Sequence, residues 1–299
     1  MTSFADRKAK SISDRQPVQP SSLWAAFLKR FCKNRTAVAG LTVFIIICIA
    51  CVFAPYLTRY QYTRINIANR ASTPSREHIL GTDNLGRDTL TRLLYGGRVT
   101  LRVALVATSL ALAAGGALGL TAGFYGGKVD FIISPVLDAL ASIPVILLVV
   151  VIETMLGRNK GYFMYAIALA AVPQFARLVR ASVMGILSCE YIEAARALGV
   201  RDFKIITRHV IHNIAPPVIV RFASGVSESL MYCTIMGYLS IGIRPPHPEW
   251  GAIVFQSRVY LRVQPISLII PCAVIAVTVI SINLFSDGLR DAFDPRQSN

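Results

Sequence analysis

The sequence predicts an all-α polytopic membrane protein with about six transmembrane helices. Only 16% of the 299 residues are charged and 54% are hydrophobic, whereas soluble domains average about 25% charged residues. The mean hydropathy of +0.54 points the same way. The apolar residues are gathered into six runs, each close to the roughly 20 residues that a helix needs to cross a bilayer. Lipid is therefore expected to be part of the solvent of this chain.

The first apolar run covers residues 37–57 and follows a polar, basic segment, residues 1–36. Both segment and run are too long for a signal peptide, so we expect an uncleaved first span. The other runs cover residues 101–123, 131–156, 161–176, 218–242 and 266–285. Hydropathy does not alternate along them as it would in barrel strands, which predicts helices. The fourth run is short and is expected to end near Pro173.

The net charge of +15 comes from 31 Lys and Arg against 16 Asp and Glu. In a membrane chain such an excess is typical of loops held on the cytoplasmic side, near anionic lipid. No basic stripe with interleaved aromatic residues occurs, which argues against nucleic-acid binding. With the N-terminus inside, inside segments hold 17 Lys and Arg and outside loops hold 12. The charge distribution therefore mildly favours cytoplasmic termini.

The segment between the fourth and fifth runs predicts two short helices joined by a glycine. Residues 190–198 are rich in good helix formers, and Gly199 is expected to stop that helix. Asp202 is expected to cap a second short helix, which should end before the two prolines at residues 216–217.

Ala194 and Ala195 are small enough to let another surface approach this segment closely. The segment is therefore either a docking element or an ordinary solvated helical hairpin. The string Glu193-Ala194-Ala195, followed by Gly199, resembles the EAA loop of the inner-membrane subunits of bacterial ABC importers. In that family the loop is cytoplasmic, and its short coupling helix sits in a cleft of the ATPase subunit.

Three further motifs are similar to the dipeptide, oligopeptide or nickel branch of that importer family. They are His-Ile-Leu-Gly-Thr-Asp-Asn-Leu-Gly-Arg-Asp at residues 78–88, Pro-Pro-x-Pro-x-Trp-Gly at 245–251, and Asn-x-x-x-Asp-Gly-Leu-Arg-Asp-Ala-Phe-Asp-Pro-Arg at 283–296. The resemblance covers roughly residues 25–296 and implies the type I ABC importer permease fold. The implied organisation is a cytoplasmic tail at 1–36, a first span at 37–57, a periplasmic loop at 58–99, a core at 100–287 containing the coupling loop at 185–217, and a cytoplasmic tail at 288–299.

The resemblance implies a transport subunit of the bacterial inner (plasma) membrane that moves dipeptides or oligopeptides. Its implied partners are a second homologous permease subunit, two ATP-binding subunits, a periplasmic substrate-binding protein and the bilayer. The chain has no G-x-x-x-x-G-K-[ST] phosphate loop, no H-E-x-x-H and no G-x-S-x-G. We therefore expect no catalytic site, metal or cofactor in this chain, with ATP and Mg²⁺ on the partner ATPases.

Other functions are compatible with parts of this pattern. Nickel or a nickel chelate is the alternative cargo within the same family. An ion-driven carrier or channel belongs to a different class, and it is disfavoured because inverted repeats with broken helices at matching positions are not evident. A membrane-embedded enzyme is disfavoured by the missing catalytic motifs.

The loop before the second span carries a cluster of turn-forming and charged residues. The candidates are Gly81, Thr82, Asp83, Gly86, Arg87 and Asp88. They form either part of an outer gate region that meets the binding protein or a loop stabilised by internal Asp–Arg pairs.

Asp138 and Glu228 are ionisable groups inside predicted spans, whereas Arg102, Glu153 and Arg221 lie near span ends. Charge within a membrane is costly and usually faces a cavity or a partner group. Asp138 and Glu228 are therefore each either part of a translocation path or hydrogen-bonded between helices.

Glycines recur every four residues in and after the second run, at positions 115, 119, 123 and 127. Such a stripe lets helix backbones approach closely. It serves either packing within the chain or sliding against a partner subunit.

Overall fold

The computed structural model describes residue 28 and residues 30–156, 162–243 and 245–293. These residues form helices and loops, with one antiparallel bridge between Thr82 and Asp88. The helices are α1 (Arg35–Val52), α2 (Ala54–Leu57), α3 (Thr89–Tyr125), α4 (Gly127–Ala141), α5 (Val145–Leu156), α6 (Tyr162–Leu187), α7 (Glu190–Ala197), α8 (Asp202–Ile205), α9 (Ile211–Tyr238), α10 (Trp250–Ser257) and α11 (Ile266–Phe293). The predicted all-α class is confirmed. Most of the predicted N-terminal tail, and residues 294–299 of the C-terminal one, lie outside the described residues.

Five helices are long and apolar enough to cross a membrane: α1, α3, α6, α11 and the continuous helix Asp202–Tyr238. Helices α4 and α5 make a sixth span if they are counted together, although they are bent by 91°. The expectation of about six spans is therefore confirmed for the described part of the chain. Helix α3 has 37 residues and begins at Thr89, well before the apolar run that predicted it.

The span predicted over residues 131–156 is broken into two helices. Helix α4 ends at Ala141 and α5 begins at Val145. Pro144 lacks a backbone N–H and disfavours helical backbone at Ile143, which breaks the helix. The Leu148 N–H donates to the Pro144 carbonyl at 3.0 Å, so the proline begins the new helix.

The prediction that the fourth span ends near Pro173 is also wrong, because α6 continues to Leu187. A proline inside a membrane helix removes one backbone hydrogen bond, a loss that surrounding packing can compensate. Here the following turn is well buried, with Phe175 0% exposed. As a consequence Arg177 and Arg180, expected in a loop, lie within the helix.

The glycine stripe packs α3 against α6. A Cβ atom at Gly115, Gly119 or Gly123 would overlap or crowd a backbone carbonyl oxygen of α6. Packing within the chain is therefore confirmed for these three glycines. Gly127 does not belong to the stripe, because α3 ends at Tyr125 and Gly127 begins α4 with no atom within 4 Å of a Cβ placed there.

The second short helix of the 190–217 segment does not end before the two prolines. Helix α8 continues through a π-helical turn, Ile206–Val210, into α9, which contains both prolines. The burial of Ile214 and Val220 on either side of the prolines holds this helix together. Asp202 lies in the first turn, and Arg201 is the N-cap residue, so the predicted cap is wrong.

The long helix α3 joins the two ends of the bundle, which lie about 55 Å apart along its axis. At its start, the Trp250 indole N–H of α10 donates to the Leu93 carbonyl at 2.8 Å. Residues 58–88 precede α3 at this end, which we call the loop end. At the other end, Phe124 packs with Ile192 of α7 and Ile205 of α8. We call this the elbow end.

Candidate functional site

The helical elbow, defined as α7, Gly199 and α8, is closed by the hydrogen bonds of a glycine-terminated helix. The Val200 N–H donates to the Ala195 carbonyl at 3.1 Å, and the Gly199 N–H donates to the Arg196 carbonyl at 2.9 Å. Gly199 has a φ of +75°, in the left-handed region that favours glycine. The predicted helix over residues 190–198 with a glycine stop is therefore confirmed.

One face of the elbow is buried against the spanning helices. Ile192 of α7, Ile205 of α8 and Val210 are each 0% exposed. They form one apolar cluster with Phe124 of α3 and Val183 of α6. A force applied to the elbow therefore acts directly on α3, α6 and α9.

The opposite face of the elbow exposes apolar side chains at the surface of the chain. Leu198 is 84% exposed and Phe203 is 77% exposed, one on each side of Gly199. A Cβ atom at Gly199 would meet nothing within 4 Å. The space around the glycine is therefore open, unlike that around the glycines of α3.

The predicted docking residues lie on or near this exposed face. Glu193 and Ala194 are exposed and Ala195 is half-buried. Sequence reasoning missed Leu198 and Phe203, although two large apolar residues flanking a glycine in a basic loop are a signal that could have been used.

A second constellation, the polar ladder, lies on α4, α6 and α9. It consists of Asp130, Asp138, Gln174, Arg177, Arg180, Arg221 and Glu228. Where the ladder joins α9 to α6, Arg221 donates to both Glu228 carboxylate oxygens, at 2.7 and 2.8 Å. The same guanidinium donates to the Gln174 side-chain oxygen and lies 5.4 Å from the centroid of the Phe175 ring. Glu228, predicted inside a span, is thus bound within its own helix and linked through Arg221 to α6.

The rest of the ladder joins α6 to α4. Arg177 Nε lies 3.5 Å from an Asp138 carboxylate oxygen. Arg180 donates to both Asp130 oxygens, at 2.5 Å each. Gln174, Arg177 and Arg180 are spaced three residues apart, so successive side chains lie about 60° apart around α6. The ladder therefore balances three arginines against three carboxylates.

Much of the polar ladder is exposed on the surface of this chain. The side chains of Asp138, Arg177 and Glu228 are 68%, 55% and 41% exposed. A charged side chain at the centre of a bilayer costs about 2.5–3.5 kcal/mol on insertion scales. Several such groups facing hydrocarbon would be expensive, which favours water or a partner protein against this face.

Sequence reasoning found only part of the ladder. Asp138 and Glu228 were predicted as in-membrane charges, and the structure links each of them to an arginine. Arg177 and Arg180 were missed because the span was ended too early. A possible signal was the regular three-residue spacing that begins at Gln174.

The loop module, defined as residues 58–88, is joined to the bundle by ion pairs. Asp83 accepts from Arg87 Nε at 2.7 Å and lies 3.0 Å from Arg92 NH1. Both guanidinium groups donate to the Gln256 side-chain oxygen of α10, at 3.0 Å each. The expected internal Asp–Arg pairs are present, and contact of this module with a binding protein stays a prediction.

The rest of the predicted loop signature shapes the entry to α3. Asp88 accepts from the Thr91 N–H at 2.8 Å, which caps the helix, and its other oxygen lies 2.9 Å from His78 Nδ1. Gly81 and Gly86 have φ values of +72° and +71°, which favour glycine. These contacts shape the turns that lead into α3.

Glu249 is a buried carboxyl group at the loop end that the sequence did not single out. It is 1% exposed and accepts from the N–H groups of Gly251 and Ala252, at 2.8 and 2.9 Å, at the start of α10. Thr100 of α3 donates to it at 3.2 Å. Burial raises the pKa of Glu249 to about 7, against the opposing effect of these hydrogen bonds.

Comparisons with known proteins agree with this architecture. The family described as "binding-protein-dependent transport system inner membrane component" matches residues 115–299. The family described as "N-terminal TM domain of oligopeptide transport permease C" matches residues 22–74. A dipeptide transport system permease protein, DppC, of Alkalihalophilus pseudofirmus is 37% identical over 93% of this chain and 91% of its own length.

Another relative and a solved structure extend the comparison. A glutathione transport system permease protein, GsiD, of Pectobacterium atrosepticum is 36% identical over 91% of both chains. The structure of the MetNI methionine ABC transporter in an inward-facing conformation has a chain that matches with a TM-score of 0.55 and 20% identity, covering 68% of this chain and 96% of that one. The structural likeness shows a shared fold, the type I importer permease fold expected from the sequence.

Proposed function

Because the chain belongs to the family of binding-protein-dependent transport system inner membrane components, we propose that it is the membrane-spanning subunit of an ATP-driven peptide importer. The family match over residues 115–299 supports the transport role. The relatives named for dipeptide and glutathione transport support a peptide cargo over nickel.

The proposed assembly contains a second homologous permease subunit, two ATP-binding subunits and a periplasmic substrate-binding protein. ATP and Mg²⁺ bind to the ATP-binding subunits, since this sequence has no phosphate loop. This chain supplies no catalytic group and acts as a transport subunit in the inner membrane.

The helical elbow is the proposed docking site for an ATP-binding subunit, with Glu193, Ala194, Ala195 and Gly199 in the contact. The observation that carries this proposal is the elbow's two-sided character. Its inner face is fully buried in the bundle, while Leu198 and Phe203 expose apolar surface on the outer face. Exposed apolar side chains of this size are typical of surfaces that bind another protein.

This docking fixes the proposed orientation. The elbow end faces the cytosol, which places both chain termini there, and the loop module faces the periplasm and the binding protein. ATP binding brings the ATP-binding subunits together, and the elbow transmits that movement to α3, α6 and α9. The transporter then shifts between inward-open and outward-open states.

The docking proposal is tested by a charged double variant, Leu198→Asp with Phe203→Asp, coexpressed with the ATP-binding subunits. We expect the ATP-binding subunits to be lost on copurification, because two carboxylates would be buried in an apolar contact. A matched control is Val263→Asp, which is 79% exposed at the loop end. Full copurification of the double variant would contradict the proposal.

The cargo and the transport class need a separate test. We expect uptake of a radiolabelled dipeptide, and not of ⁶³Ni²⁺, to be restored when the chain is returned to a deletion strain. An ion-driven carrier or a channel would transport cargo without an ATPase. ATP-independent uptake by the purified chain alone would therefore reject the importer proposal.

A further inference from the structure

We propose that the polar ladder lines the translocation path and binds the charged termini of a zwitterionic peptide as it passes. The inference rests on the peptide cargo proposed above and gives it a site within this chain.

The charges of the ladder match those of a peptide with free ends. The described ladder has three arginines and three carboxylates, so its net charge is zero. A free peptide carries one ammonium and one carboxylate group. Arginine binds a carboxylate through two parallel hydrogen bonds, as Arg221 already binds Glu228.

The ladder is long enough to follow a molecule through part of the membrane. Gln174 and Arg180 are six residues apart on α6, about 9 Å along the helix axis. Arg221 and Glu228 are seven residues apart on α9, and their charged groups meet at 2.7 and 2.8 Å. Because Arg221 contacts Gln174, the polar groups of α6 and α9 form one continuous file, which covers part of a hydrocarbon core of about 30 Å.

The ladder also allows partners to be exchanged without leaving a charge unpaired. A cargo carboxylate can replace Glu228 on Arg221, while the cargo ammonium takes the released Glu228. The same exchange is available at Arg177 and Asp138, whose 3.5 Å contact is looser. Each exchange turns one ion pair into two and leaves no charge unpaired, which avoids the large cost of an isolated charge in a poorly hydrated site.

Neutralising one pair tests this proposal in the complete transporter, reconstituted in vesicles with its binding protein. The variant is Arg221→Gln with Glu228→Gln, and uptake of a radiolabelled free dipeptide is measured together with ATP hydrolysis. We expect uptake per ATP to fall about tenfold, because the cargo loses one charge-assisted hydrogen bond in the path. A purely structural defect would lower uptake and ATP hydrolysis together. The control is Ser109→Ala, which removes an exposed hydroxyl that donates within its own helix.

The outcomes separate the two levels of the proposal. If the parent transporter takes up dipeptide and the neutral variant does so with unchanged yield per ATP, the ladder does not bind the cargo. If the parent transporter takes up no dipeptide, the proposed cargo itself is wrong.

A second measurement holds even if the neutral variant fails to assemble. In the complete transporter, Gln174→Cys should react with a small water-soluble thiol reagent, and excess dipeptide with ATP should slow the reaction. Ile46→Cys, 59% exposed on α1, which carries no ladder residue, is the control and is expected to be unreactive in lipid. Labelling is measured above the background of the parent chain. Equal labelling of the two variants would overturn the proposal.

Discussion

Two glycines with nearly the same backbone conformation show how differently the two ends of the molecule are built. Gly86 in the loop module has a φ of +71° and Gly199 in the elbow has a φ of +75°. A Cβ atom at Gly86 would overlap the Asn66 carbonyl group, whereas one at Gly199 would meet nothing within 4 Å. The loop end is packed against itself, and the elbow end leaves its turn open.

The side chains around the two glycines repeat this difference. The loop module encloses Asp83, Arg87 and Arg92, whose side chains are 13%, 5% and 3% exposed. The elbow instead exposes Leu198 and Phe203. Gly86 is therefore needed for packing within the chain, whereas the open surroundings of Gly199 leave room for a partner protein.

The largest expected effect is that of Gly86→Ala. The methyl group would collide with backbone, and the positive φ would add strain, for a combined loss of about 4 kcal/mol in the free energy of unfolding. Thermal unfolding of the purified chain measures this loss. A midpoint equal to that of the parent chain would show that the loop module is not tightly packed.

Asp83→Ala comes next, because it leaves two nearly buried arginines without their carboxylate. We expect a loss of about 3 kcal/mol, at the low end for a broken buried ion pair because Asp83 retains some exposure. Denaturant unfolding checks the value. The control is Glu193→Ala at the elbow, where an exposed carboxylate is expected to contribute little to stability.

A smaller effect on stability is expected from the titration of Glu249, which lies at the loop end. Its pKa in the folded protein is about 7, above the ordinary value of 4.5, so folding binds a proton between these values. Stability should therefore fall as pH rises from about 4.5 to about 7, and by no more than about 3 kcal/mol.

Thermal unfolding of the parent chain and of Glu249→Gln at several pH values tests this. The variant should lose the pH dependence within that window, whereas Glu190→Gln, at an exposed elbow position, should keep it. An unchanged profile in Glu249→Gln would assign the pH dependence to another group.

The smallest effect on stability is expected for Gly199→Ala. Only the left-handed backbone opposes the methyl group, at a cost of about 1 kcal/mol. The same denaturant experiment should therefore place Gly199→Ala close to the parent chain and far from Gly86→Ala. Similar losses for the two alanine variants would remove the contrast between the two ends.

Features set by nearby residues could be predicted from the sequence. The helix of the elbow and its stop at Gly199 depend on a few adjacent residues, so composition was sufficient. The number of spans followed from the length of the apolar runs. The ends of the spans did not, because Pro173 lies within a helix that the surrounding bundle stabilises.

The polar ladder could be predicted only in fragments, because its contacts join distant parts of the chain. Arg221 is 47 residues from Gln174, and Arg180 is 50 residues from Asp130. No local pattern specifies such pairs. The bend before α5 does have a local signal, Pro144. The apolar run continues across this proline, so the sequence predicted one span there.

The most direct test of the account is the reactivity of Leu198→Cys toward a membrane-impermeant thiol reagent in inside-out vesicles. The rate is compared with and without the ATP-binding subunits, after subtraction of the background of the parent chain. Rapid labelling of the chain alone and strong protection by the ATP-binding subunits are the expected results. Labelling that is absent from inside-out vesicles, or unchanged by those subunits, would contradict the assignment of the elbow as the cytoplasmic docking site.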